Sequence, residues 1–146
     1  MKHELFFDGT IEQYTWSIKT ESKIVNQIRK HPPAFRSGGK LNITNNEESK
    51  FVALHVGIYW GLGVNIIKDR DVVNVMCDSE IMFGIMTKGE KNDNEIINDK
   101  VYFINQLINL RKLKINYQFI ESKKNIATRH FFAKEDTAGR DSKGYV

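Results

Sequence analysis

The sequence predicts an α/β domain: an antiparallel meander of three strands followed by an αβαβα run, giving a mixed five-stranded sheet with helices on both faces. Three observations predict it. Tyr14 to Lys19 and Lys23 to Arg29 both alternate apolar with polar residues and meet at Glu21-Ser22, as the arms of a tight hairpin do. Val72 to Cys77 is apolar except for Asn74, the pattern of a central strand covered on both faces. Ile97, Val101, Ile104, Leu107 and Ile108 recur at helical spacing within Ile96 to Leu113, marking a long amphipathic helix.

The remaining elements fill in between. His3 to Phe7 is short, apolar and aromatic, a buried first strand, and Gly9 after Asp8 permits a sharp departure. Ile24 and Ile28 share a phase in the third strand, with Val25 out of it. His31-Pro32-Pro33 ends the meander, since proline cannot donate to a ladder, and Arg36 to Lys40 reads as a mobile, turn-rich stretch. Thr44-Asn45-Asn46 caps a helix whose first turn carries Glu47 and Glu48 toward the positive end of its dipole. Leu54, Ile58 and Leu62 form its buried stripe, and Gly61 and Gly63 end it. Asp78-Ser79 caps a short helix through Met82, Ile85 and Met86. Ile115 to Ile120 is the last strand and Asn125 to Lys134 the last helix. Residues 1–136 form the domain, and 137–146 read as a flexible tail.

Composition narrows the class. With 146 residues, 40% hydrophobic and 27% charged, the chain has material for one core and is not of disordered type. No apolar run reaches the roughly 18 residues of a membrane span, and Met1 to Asp8 has no signal-peptide core. The single cysteine, Cys77, sits among apolar neighbours as a buried, reduced thiol would, so a cytoplasmic, intracellular protein is expected. The net charge of +4 leans toward a polyanionic partner, although its basic residues are scattered.

The chemistry is in the acids. Asp8 closes the first strand, Asp78 closes the fourth, and Glu47 and Glu48 open the intervening helix. Phosphodiester hydrolysis with two metal ions about 3.5–4 Å apart needs oxygen ligands converging from several carboxylates, and rigid strand ends suit them. Glu48 is the preferred helix ligand because Phe51 and Val52, three and four residues on, face inward; Glu47 is the alternative. Each acid also has a plain structural reading: Asp8-Gly9 is a common turn, Asp78 a helix cap, and both glutamates complement a helix dipole.

Taken in order, Phe-Phe-Asp8-Gly9-Thr10, Thr44-Asn45-Asn46-Glu-Glu48 and Val-Met-Cys-Asp78-Ser79 resemble the ribonuclease H family. That family has Asp-Gly-Ser/Thr after its first strand, Thr-Asn-Asn before a helix carrying Glu, and Asp-Ser after its fourth strand. Asn125 to Ala133 looks like its closing Asn-x-x-x-Asp-x-x-Ala segment, so the resemblance extends to about Lys134. The departures are specific. The fourth carboxylate position falls on Arg129 or His130; the usual glutamate position falls on Ser49; Glu80 stands where glutamine is frequent. The loop before the last helix is reduced to Ser122-Lys123-Lys124.

The resemblance implies an endonuclease that cuts the RNA strand of an RNA–DNA hybrid using two magnesium or manganese ions on Asp8, Glu48 and Asp78. It implies that Asn45 and Asn46 help read the hybrid's minor groove, where shape and 2′-hydroxyls, not base identity, are recognised. Lys123, Lys124 and Arg129 are candidate phosphate contacts, and His130 the candidate at the fourth position. The alternatives are a nuclease of this fold acting on another nucleic acid, such as branched DNA, and a non-catalytic nucleic-acid-binding or interaction domain.

Overall fold

A computed structural model of the chain describes residues 1–32 and 43–131. The expected turn-rich stretch Arg36 to Lys40, the end of the expected last helix and the expected tail lie outside these residues. The elements are β1 (Lys2–Gly9), β2 (Gln13–Thr20), β3 (Lys23–Lys30), α1 (Asn46–Gly63), β4 (Val72–Cys77), α2 (Glu80–Lys88), α3 (Glu95–Arg111) and β5 (Lys114–Phe119). The five strands form one sheet in the order β3-β2-β1-β4-β5. The meander is antiparallel, whereas β4 runs parallel to both β1 and β5.

Period-two alternation builds two layers around this sheet. Leu5, Phe7, Trp16, Ile18, Val73 and Val75 point to one face and pack with Phe51, Leu54 and Ile58 of α1 and Ile97 and Ile104 of α3. Phe6 and Met76 point to the other, where Ala127 and Ile126 of the segment after β5 cover them. Helical segments therefore lie on both sides of the sheet, as the sequence predicts.

Local chemistry sets the helix ends. The Asn45 side chain accepts from the Glu48 amide at 2.8 Å, and Ser79 accepts from the Met82 amide at 3.1 Å. Gly61, expected to end α1, lies inside it for a packing reason. A Cβ there would come within 2.8 Å of Ile67 Cδ1 and 3.0 Å of Ile18 Cδ1. The turn out of α1 is made by Asn65, in the left-handed region at φ 64°.

Ile24 and Ile28 share a face, as their phase predicts, and Ile24, at the hairpin end of an edge strand opposite Lys19, is 46% exposed. One further expectation is corrected. The last helix does not start at Asn125. Short 3-10 turns occupy Ser122–Lys124 and Ile126–Thr128, with Asn125 extended between them at φ −80°, ψ 103°, and α-helical geometry begins at Arg129.

One contact between α1 and α3 makes the fold acid-sensitive. Lys100 Nζ lies 3.3 Å from His55 Nδ1, and the Phe103 ring stacks on the imidazole. Burial, and then the Lys100 charge, pull the His55 pKa down to about 4. An unfolded imidazole titrates near 6.5, so between the two values the unfolded chain binds more protons and stability falls as pH falls. Replacing His55 with glutamine is expected to lessen the loss of denaturation midpoint between pH 7 and pH 4.5. An unchanged loss would contradict this assignment.

Candidate active site

The parallel register of β1 and β4 sets Phe6 opposite Met76. Two residues further along each strand stand Asp8 and Asp78, so alternation brings both to the same edge and the same face. Each carboxylate is then fixed by neutral donors. Asp8 Oδ1 accepts from the Gly9 amide at 2.8 Å, and Asp8 Oδ2 from Thr128 Oγ1 at 2.5 Å. Asp78 Oδ2 accepts from Asn125 Nδ2 at 2.9 Å. The same amide nitrogen donates to the Phe7 carbonyl at 2.9 Å, while Asn125 Oδ1 accepts from the Ala127 amide. Asn125 is 1% exposed and joins the ends of β1 and β4.

A cation already lies between the aspartates. Lys50, in the second turn of α1, donates to Asp78 Oδ1 at 2.9 Å and stands 3.7 Å from Asp8 Oδ1. Burial alone would lower the pKa of this ammonium. The hydrogen bond and charge of Asp78, with the charges of Asp8 and Glu47, outweigh burial and hold it above its ordinary value.

The two helix glutamates part company. Glu47 turns toward the β4 end, its Oε2 accepting from Ser79 Oγ at 2.5 Å. Glu48 is buried at 4% exposure and committed elsewhere: Oε1 accepts from the Thr44 amide at 2.8 Å, and Oε2 from Asn94 Nδ2 at 2.5 Å. Glu48 thus ties the start of α1 to the start of α3. Ser49 is the α1 residue against the end of β1, where its Oγ would meet a Cβ on Gly9 at 2.3 Å. That close approach requires glycine after Asp8. Ser49 Oγ also lies 2.8 Å from His31 Nε2.

The other candidates lie around this centre. Asn45 is engaged as the α1 cap, and Asn46 is exposed beside it. Lys123 and Lys124 are exposed and lie 3.7 Å and 4.0 Å from the Glu121 carboxylate. Arg129 is exposed; His130 lies 3.2 Å from Ser17 Oγ, over β2, and burial lowers its pKa. Sequence reasoning missed Lys50 and Thr128. Cys77 is buried, and burial with the Asp78 and Glu47 charges pushes its thiol up to about 12.

The donor chemistry of the aspartate pair is that of a hard cation, and the Lys50 ammonium marks where one sits. Among the described residues, no group of three or more His, Cys, Asp or Glu could hold a metal ion. Asp8 and Asp78 share one cation, the Lys50 ammonium; two carboxylates are a donor set that would suit magnesium, which commonly takes only one or two protein carboxylates and completes its shell with water and substrate phosphate.

Solved structures share this architecture. An RNase H1 from the archaeon Halobacterium salinarum aligns with a TM-score of 0.68 at 12% identity, over 91% of this chain and 99% of that one. The N-terminal RNase H domain of a Mycobacterium tuberculosis protein aligns at 0.67 and 16% identity, over 88% and 95%. LC11-RNase H1, isolated from compost by a metagenomic approach and solved with an RNA/DNA hybrid, aligns at 0.62 and 14% identity, over 88% and 91%. The fold is ribonuclease H-like. No family model and no curated protein matches the sequence.

Because Asn125 satisfies three partners while fully enclosed, Asn125→Ala is expected to cost about 2–3 kcal/mol through the polar groups it leaves unpaired. Urea denaturation checks this, and a loss below about 0.5 kcal/mol would deny Asn125 its joining role.

Proposed function

We propose that this chain is a ribonuclease H-type nuclease that hydrolyses the RNA strand of RNA–DNA hybrids. One observation carries the reading: in a ribonuclease H-like fold, Asp8 and Asp78 leave adjacent parallel strands and share one cation position. The hybrid bound by LC11-RNase H1 supports the choice of substrate class. Magnesium or manganese is the proposed cofactor, and when bound it would activate water and stabilise the leaving oxygen of a phosphodiester.

Within that reading the chain's own residues divide the work. Asp8 and Asp78 hold the ion, oriented by Thr128 and Asn125. Of the helix acids, Glu47 is the one left to act beside the pair, through its charge on the Lys50 position, because Glu48 is occupied by Thr44 and Asn94. A second ion would draw most of its oxygens from substrate phosphate and water. Lys123, Lys124 and Arg129, all exposed, contact phosphates and position the duplex without reading sequence. Asn46, exposed at the α1 start, and Asn45 beside it face the minor groove.

A second reading, hybrid binding without cleavage, is favoured by the Lys50 ammonium where the metal would sit. Labelled hybrid, duplex DNA and branched DNA incubated with magnesium and then manganese separate the two. The nuclease reading expects metal-dependent cutting of the RNA strand, lost by at least about 100-fold in Asp78→Asn. Binding without cleavage by folded protein, with either ion, would favour the second reading; cutting of branched DNA alone would change the substrate.

The glutamates give a separate check. Glu47→Gln is expected to lower cleavage with little change in melting temperature. Glu48→Gln is expected to lower stability by about 1–3 kcal/mol, since its new amide would confront the Asn94 amide. The opposite pattern would return Glu48 to the metal site.

A further inference from the structure

Lys50 is more than an exposed helix lysine. Its ammonium takes the Oδ1 atoms of both aspartates, at 2.9 Å and 3.7 Å, while the Oδ2 atoms accept from the neutral donors Asn125 and Thr128. Among the described residues it is the only cation within ion-pair distance of either aspartate. Its side chain keeps 18% of its surface exposed, against 12% for Asp8 and 3% for Asp78, so part of the lysine already borders solvent.

We propose that Lys50 is a built-in counter-ion that competes with a divalent metal ion for Asp8 and Asp78, so that the metal enters only as the Lys50 side chain withdraws. The proposal rests on the nuclease reading above, since it takes the aspartate pair as the metal site. An ammonium and a divalent cation cannot both occupy the same oxygens, because two positive charges at that spacing repel strongly in a partly dry site. The lysine stem is long and unbranched, so the head can leave for water while the helix and the core behind it stay in place. Without metal, the ammonium relieves the repulsion between two enclosed carboxylates. With metal, that task passes to the ion. The protein therefore does not need a metal to hold its site together, and its affinity for one is reduced by the competition.

The test is titration of manganese chloride alone into the wild type, Lys50→Met and Lys50→Gln by calorimetry, with melting curves recorded with and without manganese. Both variants are expected to bind manganese about tenfold more tightly than the wild type. Their metal-free melting temperatures are expected to fall, and manganese to raise them more than it raises the wild type's. If Lys50→Met does not fold, Lys50→Gln, which keeps a hydrogen-bond donor, decides the matter. Equal or weaker manganese affinity in the folded variants overturns the proposal, and hybrid cleavage by the wild type would then leave the nuclease reading intact. Tighter binding by the variants, with no cleavage by any form, keeps the competition and rejects the nuclease. No manganese binding by any folded form overturns both.

Discussion

Because β1 and β4 run parallel with Phe6 opposite Met76, Asp8 and Asp78 emerge side by side, and the surroundings must accommodate two carboxylate side chains that are largely enclosed. An unpaired buried carboxylate is costly, and two adjacent ones more so. The chain answers with a shared ammonium from α1 and a neutral hydrogen-bond donor for each carboxylate from the segment after β5. Four parts of the sequence far apart along the chain are thereby drawn to one point at the sheet's edge.

That demand shapes the segment after β5. The Asn125 amide stands between the Phe7 carbonyl and Asp78, and Thr128 turns to Asp8. The extended Asn125 backbone and the two flanking 3-10 turns carry these contacts. The same segment buries Ala127 against Phe6 and Met76. Its irregularity therefore serves both the second face of the core and the orientation of the acids.

The start of α1 carries a similar division of labour. Consecutive residues on a helix point about 100° apart, and Glu47 and Glu48 take different partners. Glu48 turns inward to Thr44 and Asn94, fastening α1 to α3, and Glu47 turns to Ser79 at the end of β4. Lys50, half a turn beyond Glu48, reaches back over the strand ends. The sequential glutamates look equivalent in one dimension, and only the packing of α3 separates them.

The sequence by itself determined the features that depend on near neighbours. The hairpin at Glu21-Ser22, the bounds of β4, and the capped helix starts at Thr44-Asn45-Asn46 and Asp78-Ser79 follow from alternation, apolar continuity and side-chain capping; the structure decides for Asn45 and Ser79 as the caps. The two strand-end aspartates were legible too, because strand ends are local and the fold class sets their neighbours. Tertiary structure alone decided who meets them. Lys50 reaches Asp78 across 28 residues and Thr128 reaches Asp8 across 120. A lysine in a helix and a threonine in a turn carry no local mark of such partners, since nothing within one turn of chain changes when the contact forms. Ile24 makes the converse case: it shares a face with Ile28 as its alternation says, yet its position at the end of an edge strand leaves it in water. Periodicity states which residues share a face; only packing states what, if anything, covers it.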